Sequence, residues 1–268
     1  HPIFFSHVNS LLNKMKKSIL SLTLLLICLH GFATETKLMV RAKAKDAKFV
    51  GSSIGGAHVI VRNSLNGEIM AEGNTTGATG NTDLIMKSAH ERYTELSDDK
   101  TAGFLAILDI NEPVFVQVEV LSPIHKKNAR VQASTELWLI PGKHILGDGI
   151  VLEIPGFVVD ILKPNTHQYI NLESIPDSGL PIEAHIVMMC GCPIEVDGIW
   201  DSKLIEVKAM VKKDGESVGE VELDNPAQNS FQGHFGIKEA GYYQITVYAY
   251  NPKTGNTGVD IVNYVVRD

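Results

Sequence analysis

The stretch Glu239-Ala240-Gly241-Tyr242-Tyr243-Gln244-Ile245 decides the fold. A turn at Ala240-Gly241 delivers the chain into an apolar run that continues to Tyr250, where Asn251-Pro252 closes it. The same unit repeats on either side. Glu183 to Cys190, Leu204 to Lys212, Ser217 to Leu223 and Ser230 to Ile237 precede it, and Val259 to Val266 follows. Asp214-Gly215, Asn225-Pro226 and Gly255-Asn256 supply further turns between these runs. Short strands at roughly 8–15-residue spacing, with no helical periodicity between them, describe an antiparallel β-sandwich.

The first half of the chain also reads at period two. Leu38, Val40, Ala42 and Ala44 alternate with Met39, Arg41, Lys43 and Lys45, giving one apolar and one cationic face. His58-Val59-Ile60-Val61 runs into Asn66-Gly67, a strong hairpin signal, with a return strand from Glu68 to Ala71. Gly103 to Ile110 and Val114 to Leu121 flank Asn111-Glu112-Pro113. Trp138 to Ile140 and Ile150 to Ile154 each end in Pro-Gly, and Phe157 to Leu162 leads to Pro164. One short helix of a turn or two is expected within Ser88 to Leu96, where Ser88 and Glu91 form a capping box. Lys163 to Pro181, with its prolines and Asp177-Ser178-Gly179, reads as a linker.

The segment from Glu239 to Ile245 resembles the F-strand entry of immunoglobulin-like domains over about residues 180–268. The resemblance makes Tyr243 the corner tyrosine, its hydroxyl tied back to the main chain. Ile245 stands where antibody domains carry a cysteine, so the likeness is to bacterial surface domains. Ala57 to Asn63, with Gly67, Gly73, Thr75, Thr76 and Gly80, is similar to transthyretin-like and collagen-adhesin B-type modules over about residues 50–86. The expected fold is therefore all-β: two antiparallel β-sandwich domains, transthyretin-like then immunoglobulin-like. The expected division is 1–33 as upstream extension and signal peptide, 34–163 as the first sandwich, 164–181 as linker and 182–268 as the second sandwich.

Export is read from the first 33 residues. Residues 1–14 precede Met15 as an upstream extension. Met15-Lys16-Lys17 is basic, and Ile19 to Leu29 is an apolar run too short for a bilayer-spanning helix. Gly31 and Ala33 place cleavage after Ala33, and Ile27 before Cys28 does not suit a lipoprotein signal. No other run is long and apolar enough to span a membrane, so an exported periplasmic or extracellular protein is expected. The 268-residue chain carries 24 Lys+Arg against 31 Asp+Glu, a formal charge of −7. Loss of Lys14, Lys16 and Lys17 would leave 21 basic residues against 31, or −10. Such a balance argues against nucleic acid as partner. With 44% hydrophobic residues, the composition excludes a disordered chain.

The chemistry-bearing cluster is His185-Ile186-Val187-Met188-Met189-Cys190-Gly191-Cys192. As a strand it is apolar on both faces, which calls for cover on both sides, from its own core and from the other domain or a second copy. Three readings stay open. Cys190 and Cys192, with Met188, Met189 and His185, suit a soft metal, above all copper. The two cysteines would instead close a disulfide if Gly191 bends the chain, since extended i, i+2 positions lie about 6.5–7 Å apart, at the upper edge of disulfide geometry. Or both are packed, inert core residues.

Other features read as structure. Gly51-Ser52-Ser53-Ile54-Gly55 matches G-x-S-x-G, but a strand follows instead of a helix, so Ser53 belongs to a turn. The histidines His58, His90, His125, His144, His167, His185 and His234 show no ligand spacing. Lys37, Arg41, Lys43, Lys45 and Lys48 are expected on the solvated face of an edge strand, with an anionic surface as their alternative partner. The Gly73 to Asp83 loop has a binding-loop composition. The sequence favours an exported non-enzymatic binding or interaction protein of the cell envelope, meeting a protein or envelope component. Its rival is a periplasmic soft-metal or thiol-redox protein built on Cys190-Gly191-Cys192; a hydrolase comes third.

Overall fold

A computed structural model describes residues 33–268; all but the last residue of the expected leader, 1–33, lies outside the described residues. The first half builds β1 (Thr34–Ala44), β2 (His58–Asn63), β3 (Ile69–Asn74), β4 (Phe104–Ile110), β5 (Val114–Ser122), β6 (Val131–Leu139) and β7 (Ile145–Ile154). They form two sheets, ordered β4-β1-β7 and β3-β2-β5-β6. All neighbours run antiparallel except β1 and β7. Alternation places Leu38, Val40 and Ala42 from one sheet and Val59, Val61, Val116, Val118 and Val120 from the other in one core. The Asn66-Gly67 hairpin joins β2 to β3, with Gly67 at φ +76°, a left-handed conformation that glycine takes without steric cost.

The second half contributes β8 (Phe157–Lys163), β9 (Tyr169–Asn171), β10 (Leu180–Met188), β11 (Glu206–Lys213), β12 (Glu216–Glu222), β13 (Asp224–Ala227), β14 (Ser230–Phe235), β15 (Gly241–Tyr250) and β16 (Thr257–Arg267). Its sheets are β13-β14-β10-β8 and β12-β11-β15-β16-β9. Ile182, Ala184 and Ile186 of β10 meet Val207, Ala209, Val211, Ile245 and Val247 in the core. The corner tyrosine is present: Tyr243 donates its hydroxyl to the Glu239 main-chain carbonyl at 2.9 Å. The molecule is all-β, two sandwiches in sequence.

Four local expectations differ from what is observed. Phe157 to Lys163, read as the end of the first sandwich, hydrogen-bonds to β10 as an outer strand of the second. The chain therefore passes between sandwiches at Pro155-Gly156. The stretch 164–181 is not only a spacer, because its Tyr169–Asn171 pairs in parallel with β16. Helix forms at Asp83–Lys87, one wide turn just before Ser88 to Leu96; Ser88 takes an extended conformation and caps it by bonding the Asp83 carbonyl through both amide and hydroxyl.

The fourth difference concerns the basic stripe. β1 lies between β4 and β7, paired on both edges, so it is a central strand. Arg41 is buried there, with Nη1 donating to the carbonyls of Thr101 (2.5 Å) and Ala102 (2.9 Å) and Nη2 to that of Gly147 (3.3 Å). Asp148 of β7 ties down the segment that precedes β4. It accepts from the amides of Leu96 (2.9 Å) and Ser97 (2.8 Å) and from the Ser97 hydroxyl (2.5 Å). Lys48 leaves the stripe too, reaching Thr82 Oγ1 at 2.9 Å.

Candidate binding site

The sulfur-bearing cluster lies where the two sandwiches meet. His185 points away from the core, on the opposite side of β10 from Ala184 and Ile186. Met188, Met189, Cys190 and Cys192 are buried among apolar side chains. Cys190 and Cys192 form a disulfide with their Cα atoms 5.3 Å apart, and Gly191 between them takes φ +76°, the bend that closes the pair. In this form neither sulfur is a thiolate, the state that binds soft metals. His185 also stands off from the two sulfurs. Among the described residues no group of three or more His, Cys, Asp and Glu side chains converges. The disulfide turn rests against the first sandwich: a Cβ on Gly191 would stand 3.3 Å from Ile54 Cδ1.

Ser53 sits in the tight turn Ser52–Ile54, exposed. His125 packs over the neighbouring Gly55 and lines the same surface cleft. Ser52, not Ser53, is engaged, its Oγ accepting from the Gly77 amide at 3.0 Å. No hydrogen bond joins Ser53 to His125 among the described residues.

A different feature stands out on the five-stranded sheet of the second sandwich. Its inner face is core, so every other residue points outward. Cross-strand register aligns Tyr169 of β9, Val265 of β16 and Tyr242 of β15 in one row. The next row holds Asn263, Gln244 and Lys212. Together these six line a groove of about 480 Å³. Tyr169 and Tyr242 are 61% and 72% exposed, and Met210, Val259 and Ile261 continue the apolar surface along the same face. Large contiguous apolar patches are uncommon on exposed protein surfaces. Arg267 lays its guanidinium over the Tyr169 ring, 3.8 Å from the centroid.

Farther along the face, Tyr248 donates its hydroxyl to Glu206 at 2.5 Å. Partial burial and that bond push its pKa up to about 12. Behind the groove Tyr264 stacks on Tyr243, ring centroids 5.5 Å apart. Its buried hydroxyl has no hydrogen-bond partner among the described residues, and burial raises its pKa strongly. The first sandwich shows a smaller aromatic display, where Phe115 and Trp138 meet at 5.1 Å on the outer face of its four-stranded sheet.

No family model matches the chain. No curated protein matches it. Among solved structures, fibronectin(III)-like modules of CbhA from Clostridium thermocellum align at TM-score 0.28 and 15% identity, over 87% of this chain and 94% of that one. A DUF3823 family protein from Bacteroides uniformis aligns at TM-score 0.27 and 9% identity, over 86% of this chain and all of that one. An engineered protein aligns at TM-score 0.31 and 14% identity over 46% of this chain, which spans 22% of its length. The fold described above stands on strand pairing, and likenesses at these TM-scores add nothing to it.

None of the groove residues was a candidate from the sequence. The available signal was parity. In β15 the core-facing Tyr243 fixes Tyr242 as outward, which makes it a large aromatic displayed on the exposed face. What parity does not supply is the neighbour, because Tyr169 reaches the row through a three-residue strand too short to show a period.

Proposed function

We propose that this chain is an exported, non-enzymatic binding module of the cell envelope that meets its ligand or partner through the outer face of the five-stranded sheet. The observation that carries the reading is the pair of exposed tyrosines flanking a groove floored by Val265, on a rigid sheet whose inner side is core. Tyrosine suits such a role, since it buries large area on few rotatable bonds and keeps a polar tip. The Cys190–Cys192 disulfide supports an oxidising compartment, as does the apolar run Ile19 to Leu29.

Site-specific photocrosslinking in intact envelopes tests the reading. A photoreactive residue at Tyr242 or Ile261 should capture a defined adduct, and one at Leu65 or Tyr93, exposed on the first sandwich, should not. Equal or absent capture at all four positions would refute the assignment of this face.

A further inference from the structure

Resting on that reading of the face, we infer that the groove takes an acidic oligosaccharide, a linear sugar chain bearing carboxylates, laid across the strands from Tyr169 to Tyr242. Three features of the site specify this chemistry.

The first is spacing. Tyr169 and Tyr242 both stand opposite Val265, one strand to either side. Two strand separations place them about 9.5 Å apart, the length of a disaccharide. Pyranose rings in an equatorially linked chain present flat C–H faces, and these stack on aromatic rings as apolar groups do. Val265 between them offers an apolar floor without rising into the path.

The second is the polar row one pleat away. Asn263 and Gln244 are side by side across the strands. Each amide carries two donors and an acceptor, which matches pairs of neighbouring hydroxyls. A groove of about 480 Å³ is within the usual range of small-molecule sites, roughly 300–1,000 Å³.

The third is charge. The chain carries −7 overall, yet among the described residues the groove lining includes Lys212 and no carboxylate. Lys208 and Lys213 on the same strand are paired with Glu220 and Glu239, but Lys212 has no ion-pair partner among the described residues. Arg267 stands over Tyr169 at the groove's end. The nearby Asp214 accepts from the Tyr242 amide at 3.0 Å. Lys212 without an ion-pair partner and Arg267 beside the groove, against one carboxylate that is tied to the Tyr242 amide, favour an anionic ligand over a neutral one.

Isothermal titration of the whole protein with a hyaluronan hexasaccharide, cellohexaose and poly-glutamate tests the inference. The hexasaccharide, in which uronate alternates along an equatorially linked chain, should bind, and cellohexaose should bind about tenfold or more weakly. Tyr169→Ala and Tyr242→Ala should each lower hexasaccharide affinity about tenfold, while Tyr242→Phe keeps it. Lys212→Ala should weaken it and flatten its salt dependence. Circular dichroism identifies any variant that fails to fold, and the exposed Tyr242→Phe and Lys212→Ala carry the test in that event. No binding by the folded protein, equal affinity for cellohexaose, or equal affinity for poly-glutamate would each overturn the inference. If no sugar binds while photocrosslinks at Tyr242 persist, the ligand class is wrong and the binding face stands; if both are missing, both fall.

Discussion

Asn256 is fully buried, and its side-chain amide donates to the Lys45 main-chain carbonyl at 3.0 Å across the junction between the sandwiches. Its oxygen accepts from the Gly156 amide at 2.9 Å, so one side chain ties the first sandwich, the connecting residues and the β15–β16 turn together. Trp200 adds a second tie, donating its indole N–H to the Asp46 carbonyl at 2.8 Å. Lys126 pairs with Asp160 at 2.7 Å on another part of the junction.

Replacing Asn256 should therefore weaken the whole molecule and not one domain alone. Asn256→Ala leaves a buried carbonyl and a buried amide unpaired, a loss of about 2–3 kcal/mol. Asn256→Asp should cost at least as much, because a carboxylate oxygen would face the Lys45 carbonyl. Guanidinium unfolding followed by tryptophan fluorescence, with Trp138 in the first sandwich and Trp200 in the second, reads both variants. Wild-type stability in Asn256→Ala would show that the junction amide contributes nothing.

The two stacked tyrosines behind the groove should respond with opposite signs. Tyr243→Phe removes a hydroxyl that donates to Glu239 and should cost about 1 kcal/mol. Tyr264→Phe removes a buried hydroxyl with no partner among the described residues, and should be neutral or stabilise by up to about 1 kcal/mol. Parallel urea melts of the two variants distinguish them. Equal destabilisation would mean that the Tyr264 hydroxyl is satisfied in solution.

Acid should loosen the segment around Leu96 and Ser97 that Asp148 ties to β7. Burial works against the Asp148 carboxylate, but bonds from Leu96 and Ser97 and the charge of Arg41 outweigh it and hold its pKa below the ordinary 3.8. A depressed carboxyl pKa stabilises the fold above the unfolded value, and that contribution disappears as pH falls through the folded one. The amides of Leu96 and Ser97 should thus stay protected from hydrogen exchange at pH 5 and lose protection only as the pH falls through the depressed folded value, below the ordinary 3.8. Asp148→Asn should show reduced protection already at neutral pH. Protection unchanged by acid would refute the clamp.

Opening the disulfide should affect stability and spare the groove. Cys190→Ser with Cys192→Ser removes a cross-link over a three-residue loop, worth about 1.6 kcal/mol by chain entropy, and buries two hydroxyls in an apolar junction. Thermal unfolding should fall by several degrees, with ligand affinity at Tyr169 and Tyr242 unchanged. Stoichiometric copper in the reduced wild type, lost in the double variant, would instead favour the metal reading.

Most of the architecture was legible because sandwich strands write their burial as alternation. Leu38, Val40 and Ala42 read correctly as core, and Tyr243 as the corner tyrosine. Strand order was not legible. Nothing in Lys37 to Lys45 distinguishes a central strand from an edge, since that depends on which distant segments pair with it, and so Arg41 was read as solvated. The same limit hid the groove, which is made by pairing β9 to β16. The cysteine pair was legible only as alternatives, because the choice rests on the conformation of Gly191.

The joint between the sandwiches is only Pro155-Gly156, and Asn256, Trp200 and Lys126 brace it. Two aromatic displays, at Tyr169–Tyr242 and at Phe115–Trp138, are therefore held at one separation and one mutual orientation. A polymer long enough to bridge them would gain avidity without any entropy lost in straightening a tether. A shorter one would gain none, so on the proposed reading affinity would step up with ligand length only if the first sandwich also takes part.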